Sequence, residues 1–170
     1  RVMGVEEQEG VRKEHLSFQS TAGVRLFAHF YRPALQASQK GPTLILLHGG
    51  GPPGKNGQSV KVLAGFLTRA GWNVLAIDMQ YFGERSTDLL TTFSEQEKHE
   101  RLYNQPSTYL AWVTQTVKDV GRALDFLVEH RGADAKSIGL LGLSRGAIVG
   151  TSVGAADRRL AAAGSARARC

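Results

Sequence analysis

Ser137-Ile138-Gly139-Leu140-Leu141-Gly142-Leu143-Ser144-Arg145-Gly146-Ala147-Ile148-Val149-Gly150 reads as a short apolar strand, a tight turn and a helix of small residues. At its centre stands Gly142-x-Ser144-x-Gly146, the pattern of a nucleophile elbow. Such an elbow holds a serine on a strained strand-to-helix turn, so that the hydroxyl projects beyond the strand. Gly142 and Gly146 suit it because a Cβ at either place would meet the turn or the neighbouring strand. The amide of Arg145 opens the helix and can donate to a developing oxyanion. A plain glycine turn before a helix has the same letters. The strand before the turn and the helix after it are what give the pattern weight.

Working outward, strand and helix signals alternate. Residues 14–18 and 24–31 read as two strands joined by the turn Ser20-Thr21-Ala22-Gly23, hence a hairpin. Residues 32–42, bounded by two prolines, read as a loop. Thr43-Leu44-Ile45-Leu46-Leu47 is a continuous apolar run, as in a strand buried on both faces. The irregular segment His48-Gly49-Gly50-Gly51-Pro52-Pro53-Gly54 follows it. Val60, Leu63, Phe66 and Ala70 have helical spacing, and Gly71 closes that helix. Residues 72–77 form another buried strand ending at Asp78. Residues 81–86 read as a loop. Ser94-Glu95-Gln96-Glu97 is a capping box that predicts a short helix. Leu110, Val113, Val117, Val120, Leu124 and Leu127 step by three and four along a long helix over 107–130, with Gly132 as its stop.

An opening antiparallel hairpin followed by this alternation predicts an α/β fold with a mostly parallel sheet. Ligands of such sheets sit at the carboxyl ends of the strands. His48 to Gly51, Asp78 to Ser86, and Gly142 to Gly146 all lie just past such ends.

Two glycine readings compete at the first of these loops. Gly49-x-Gly51-x-x-Gly54 after a strand matches the letters of a dinucleotide fingerprint, with Asp78 as the ribose acid. That motif needs a helix starting within the glycines. Here Pro52 and Pro53 interrupt it and remove amides a phosphate would use. Asp78 also comes later than the ~20 residues usual for the acid. Gly54-Lys55-Asn56 lacks the Ser or Thr of a P-loop. With the elbow, the glycines instead suit an oxyanion hole made of two amides. The Arg145 amide supplies one donor. Gly50 is the first choice for the other, with Gly49 and Gly51 open as alternatives.

With these residues in place, the chain resembles the N-terminal part of an α/β-hydrolase. It is most similar to the dienelactone hydrolase, acetyl-xylan esterase and prolyl-oligopeptidase-like group. The resemblance rests on Leu44 to Gly50, Val74 to Asp78 with Gly83-Glu84-Arg85-Ser86, the helix around 119–127, and Gly142-Leu143-Ser144-Arg145-Gly146. It runs over residues 14–157. It implies a serine hydrolase that cleaves a carboxylic ester, less readily an amide, through an acyl-enzyme on Ser144. His48, Gly49, Gly51, Tyr81 and Arg85 become candidates for the pocket, and residues 81–106 for a cap. Arg85 and Ser86 read equally well as loop caps, and Trp112 as a core residue. In the family the place of His48 supports its loop, and Asp78 is expected to order its own.

The resemblance also implies a catalytic acid and then a histidine after the serine. All five histidines (15, 29, 48, 99 and 130) precede Ser144, and the only acid after it is Asp157. His99 reads as a solvated surface residue. The expectation is a chain without the later strands that carry both partners, inactive or impaired as an enzyme. A non-catalytic binding protein of the same fold is the alternative, and a dinucleotide-binding domain a remote one. The organisation expected is a polar segment over 1–13, the hydrolase part over 14–157, and an atypical Ala/Arg-rich tail over 158–170. With no strand expected in that tail, the strand at 138–143 would keep an open edge through which copies could associate.

Composition bounds the rest. The chain has 170 residues, 42% hydrophobic and 21% charged, which fits a globular domain with a real core. No apolar run approaches the ~20 residues of a membrane span. The opening residues lack the apolar core of a secretory signal, from which a cytoplasmic place is expected. The single cysteine, Cys170, excludes an internal disulfide. The net charge of +6 owes much to the four arginines after Asp157. The remaining charges are mixed in sign, with no basic stripe interleaved with aromatics, so nucleic acid is not an expected partner. No histidine pair has metal-ligand spacing on a helix face, and neither cofactor nor metal is expected. A small-molecule ester is the expected partner.

Overall fold

Leu-, Ile- and Val-rich runs become the three central parallel strands. The computed structural model describes residues 1–35, 41–87 and 92–166. Its strands are β1 (Val2–Gln8), β2 (Val11–Gln19), β3 (Arg25–Pro33), β4 (Thr43–Leu47), β5 (Asn73–Ile77), β6 (Ile138–Leu143) and β7 (Ala162–Ala166). Its helices are α1 (Gln58–Arg69), α2 (Glu95–Lys98), α3 (Pro106–Arg131) and α4 (Arg145–Ala156). One sheet holds the strands in the order β1-β2-β3-β5-β4-β6-β7. β1, β2, β3 and β5 pair antiparallel, whereas β5, β4, β6 and β7 run parallel. The predicted α/β architecture with its opening hairpin is therefore the one found.

The register explains why the loops meet. Leu47, the last residue of β4, is level with Ile77 of β5 and with Gly142 of β6. The chain therefore leaves these strands at one height, carrying His48, Asp78 and Ser144 to the same rim. Side chains alternate across the sheet. Ile45, Leu47, Leu75, Ile77, Ile138 and Leu140 face α3 and α4. Leu46, Val74 and Ala76 face α1 through Val60 and Ala64. Trp112, Val120, Ala123, Leu124 and Leu127 are the buried apolar stripe of α3, and Gly132 ends the helix at φ 65°. Phe66 and Leu110, counted into the helical spacing, face solvent instead, 64% and 65% exposed. Each lies outside the arc of its helix that meets the sheet.

Two segments differ from the sequence reading. Residues 1–13, expected as a polar segment, contain β1 and the start of β2, joined by Glu9 and Gly10, both at positive φ. Every residue of β1 is exposed, so the strand shows no apolar alternation to read. The second difference is the tail. Residues 162–166, expected to hold no strand, pair in parallel along β6 from Gly139↔Ala162 to Leu143↔Ala166. The open edge therefore belongs to β7, not to β6. The physical reason is that small residues suffice for an edge strand, whose ladder is backbone. A Cβ at Gly154 of α4 would stand 3.1 Å from that of Ala163, so close packing here itself calls for small side chains. Parts of the 32–42 loop and the 81–106 segment, and Arg167, Arg169 and Cys170, lie outside the described residues. Among those described, no helix is long and apolar enough to cross a membrane.

Candidate active site

Ser144 caps α4 with φ 50° and ψ −112°, a conformation side chains rarely adopt, and it is exposed. Positions of this kind cost about 1–3 kcal/mol and persist only where neighbours enforce them. The neighbours here are backbone. A Cβ on Gly142 would run into Gly146 and Ala147 within the turn. One on Gly146 would stand 2.5 Å from the His48 carbonyl oxygen and 2.6 Å from that of Leu47. The two glycines thus let the turn fold on itself and against β4.

His48 is buried, 1% exposed. Its Nε2 accepts from the Met79 amide at 3.0 Å, so the proton sits on Nδ1, which donates to the Gly49 carbonyl at 2.5 Å. Burial pushes its pKa down, and the ring is neutral. With both nitrogens engaged, His48 bridges the loops after β4 and β5. It has no lone pair left to take a serine proton.

Asp78 is the hub of the second loop. Its carboxylate accepts from the Lys55 ammonium (2.7 Å), the Lys55 amide (2.8 Å) and the Glu84 amide (3.0 Å). Gly54 and Gly83, both at positive φ, pack so closely on it that a Cβ at either would collide with its carboxylate. Lys55 also pairs with Glu84, which in turn meets His15 Nε2 at 2.7 Å. Arg85 turns inward, to the Asp78 carbonyl at 2.9 Å and Asp119 at 2.5 Å. The side chain of Arg85 therefore ties the loop to α3, and Ser20 and Gln115 complete the ring around Asp119.

A third group stands beside the elbow. A π-helical turn, His99–Tyr103, follows α2, whose Ser94/Glu97 capping box forms as expected. The Arg145 guanidinium lies 3.8 Å from the centre of the Tyr103 ring, and its Nη2 is 3.0 Å from Nε2 of His99. A Cβ on Gly50 would stand 2.9 Å from the Tyr103 hydroxyl and 3.1 Å from Cγ of Arg145. Glycine is needed at position 50 for that approach.

A cavity of about 170 Å³ opens at Ser144. His48, Gly49, Gly51 and Leu143 line it, with Val60 of α1. Gly50 and Arg145 do not line it and stand against Tyr103. Of the predicted pocket residues, Tyr81 and Arg85 do not line this cavity. Tyr81 has φ 75° and packs on the core. Sequence reading missed Tyr103, which carries no motif, and the burial of Lys55, which it weighed only as a phosphate ligand. Lys55 sits two residues after a proline pair, with nothing in the pattern to mark it as buried.

The arrangement of the sheet and its helices recurs in solved structures. The PEG-bound form of a cold-adapted esterase from an Arctic intertidal metagenomic library matches at TM-score 0.74 and 25% identity, covering 96% of this chain and 63% of that one. The chain has the α/β-hydrolase fold. A protein described as an acetyl xylan esterase from Bacteroides fragilis shares it at TM-score 0.73 and 17% identity, over 96% of this chain and 46% of its own. One described as a dienelactone hydrolase from Klebsiella pneumoniae does so at 0.71 and 18%, over 90% and 58%. The chain thus spans less than two thirds of the length of these α/β-hydrolase structures. No family model and no curated protein sequence matches it.

Proposed function

We propose that this chain carries the nucleophile half of a carboxylic-ester hydrolase, with Ser144 forming the acyl-enzyme. The observation that carries the reading is the enforced φ of 50° at an exposed Ser144, at the carboxyl end of β6. The esterases that share the fold favour an ester over an amide. In the reaction, the Ser144 hydroxyl adds to the ester carbonyl while a base takes its proton. The oxyanion is held by the amides of Arg145 and Gly50, the latter kept in place by Tyr103. Collapse expels the alcohol, and water then releases the acid. The acyl or alcohol group occupies the cavity beside His48, Gly49 and Gly51.

The base is the missing part. No histidine follows Ser144 in the sequence, and His48 is committed at both nitrogens. A serine hydroxyl without a base is a poor nucleophile. Binding and an oxyanion hole alone still leave about 10³–10⁴-fold over water in enzymes stripped of a triad member. The chain as it stands is accordingly an impaired hydrolase. The engagement of His48 also favours the second reading, a non-catalytic binder of carbonyl ligands. A fluorophosphonate probe with peptide mapping separates the two. Labelling of Ser144 that disappears in Ser144→Ala supports the hydrolase. A folded sample that stays unlabelled supports the binder.

A further inference from the structure

We infer that the Arg145 guanidinium is a recognition group for a carboxylate on the substrate, which makes the preferred ester an anionic one. The inference rests on the proposed role of Ser144 and deepens it. The largely buried side chains of Arg85 and Arg131 are each closed by an acid, Asp119 and Glu14. Arg145 has no carboxylate partner among the described residues. What it has are contacts that orient the group without neutralising it. One face lies on the Tyr103 ring, and Nη2 meets a ring nitrogen of His99. Stacking uses the face of a guanidinium and leaves its in-plane edge for paired hydrogen bonds to a carboxylate. Nε and Nη1 have no partner among the described residues.

Location adds the second argument. Arg145 follows Ser144 directly, and its stem packs on Gly50. The cation therefore belongs to the residue next to the proposed nucleophile, with its stem against the loop that carries Gly50. Loose surface arginines lose their entropy on binding, whereas this one is already held between Tyr103 and His99. A carboxylate a few atoms from the ester carbonyl, on the acyl or the alcohol side, would meet it while the carbonyl sits at Ser144.

Equilibrium binding to the chain tests this without requiring turnover. Monomethyl succinate, an anionic ester, is compared with neutral dimethyl succinate, following the side-chain NMR signal of Arg145 and the amides of Ser144 and Arg145. The anion is expected to bind about ten- to a hundredfold more tightly, the range of a charge-assisted pair. Arg145→Gln should remove the preference, and Arg145→Lys should restore only part of it. A melting temperature of Arg145→Gln close to that of the parent shows that the loss is local. Equal affinity for the two esters, or a preference that survives Arg145→Gln, overturns the inference while leaving Ser144 as the carbonyl site. Anion binding that shifts neither Arg145 nor Ser144 overturns it as well. Failure of the reading at Ser144 is seen separately, in the fluorophosphonate experiment.

Discussion

The Lys55 ammonium stands 2.7 Å from the Asp78 carboxylate, and neither side chain has any solvent exposure. The pair links the loop after β4 to the loop after β5, underneath the candidate site. Removing one member leaves a buried charge uncompensated, which costs about 3–5 kcal/mol. Lys55→Met is therefore expected to lower stability by that order in urea unfolding. A loss below ~1 kcal/mol would mean that the loop opens to solvate Asp78.

The glycines of the elbow make a sharper contrast. Gly142→Ala and Gly146→Ala each push a Cβ into backbone that cannot yield. Overpacking of this kind costs about 1–3 kcal/mol or more. A Cβ at Gly4, on the exposed β1, meets nothing within 4 Å. Gly4→Ala should stay within ~0.5 kcal/mol of the parent. Thermal melts of the three variants give the comparison, and equal shifts would contradict it.

At Ser144 the strain and the proposed chemistry can be pulled apart. Glycine accepts a positive φ at little cost, so Ser144→Gly should stabilise the fold by about 1 kcal/mol. The same change deletes the hydroxyl and should abolish fluorophosphonate labelling. A Ser144→Gly variant less stable than the parent would show that no strain is held there.

Acid sensitivity follows from the buried histidines. Burial, aided by Lys55 and Lys13 nearby, lowers the pKa of His29 to about 3, and burial lowers that of His48 too. Between the unfolded value of about 6.5 and the folded one, the unfolded chain binds more protons, so stability falls with pH through that window and is level above it. From pH 6.5 to 5, His29 alone should account for about 2 kcal/mol. Few ordinary carboxylates titrate in that range. His29→Phe should flatten the slope of unfolding free energy against pH. An unchanged slope would show that His29 takes up its proton without unfolding.

The elbow and the glycine loop were legible because their requirements are local. Gly142, Gly146 and Gly50 are dictated by backbone clearances within a few residues or across one strand pair. The α/β order was legible from apolar runs and helical spacing, and the α2 capping box from four letters. β1 and β7 were not, because an exposed edge strand needs neither apolar alternation nor large side chains.

By itself, the sequence determined the order of strands and helices, the Gly142-x-Ser144-x-Gly146 turn, and the absence of any histidine after it. Those are properties of neighbouring residues and of count. Only the tertiary structure decided that His48 is locked between Met79 and Gly49, that Lys55 is buried on Asp78, and that Tyr103 and His99 hold Arg145 beside Ser144. The physical reason is distance along the chain. Each of those arrangements except the His48–Gly49 bond joins residues more than 20 positions apart, and their burial and pairing exist only once the sheet has set the register of its strands.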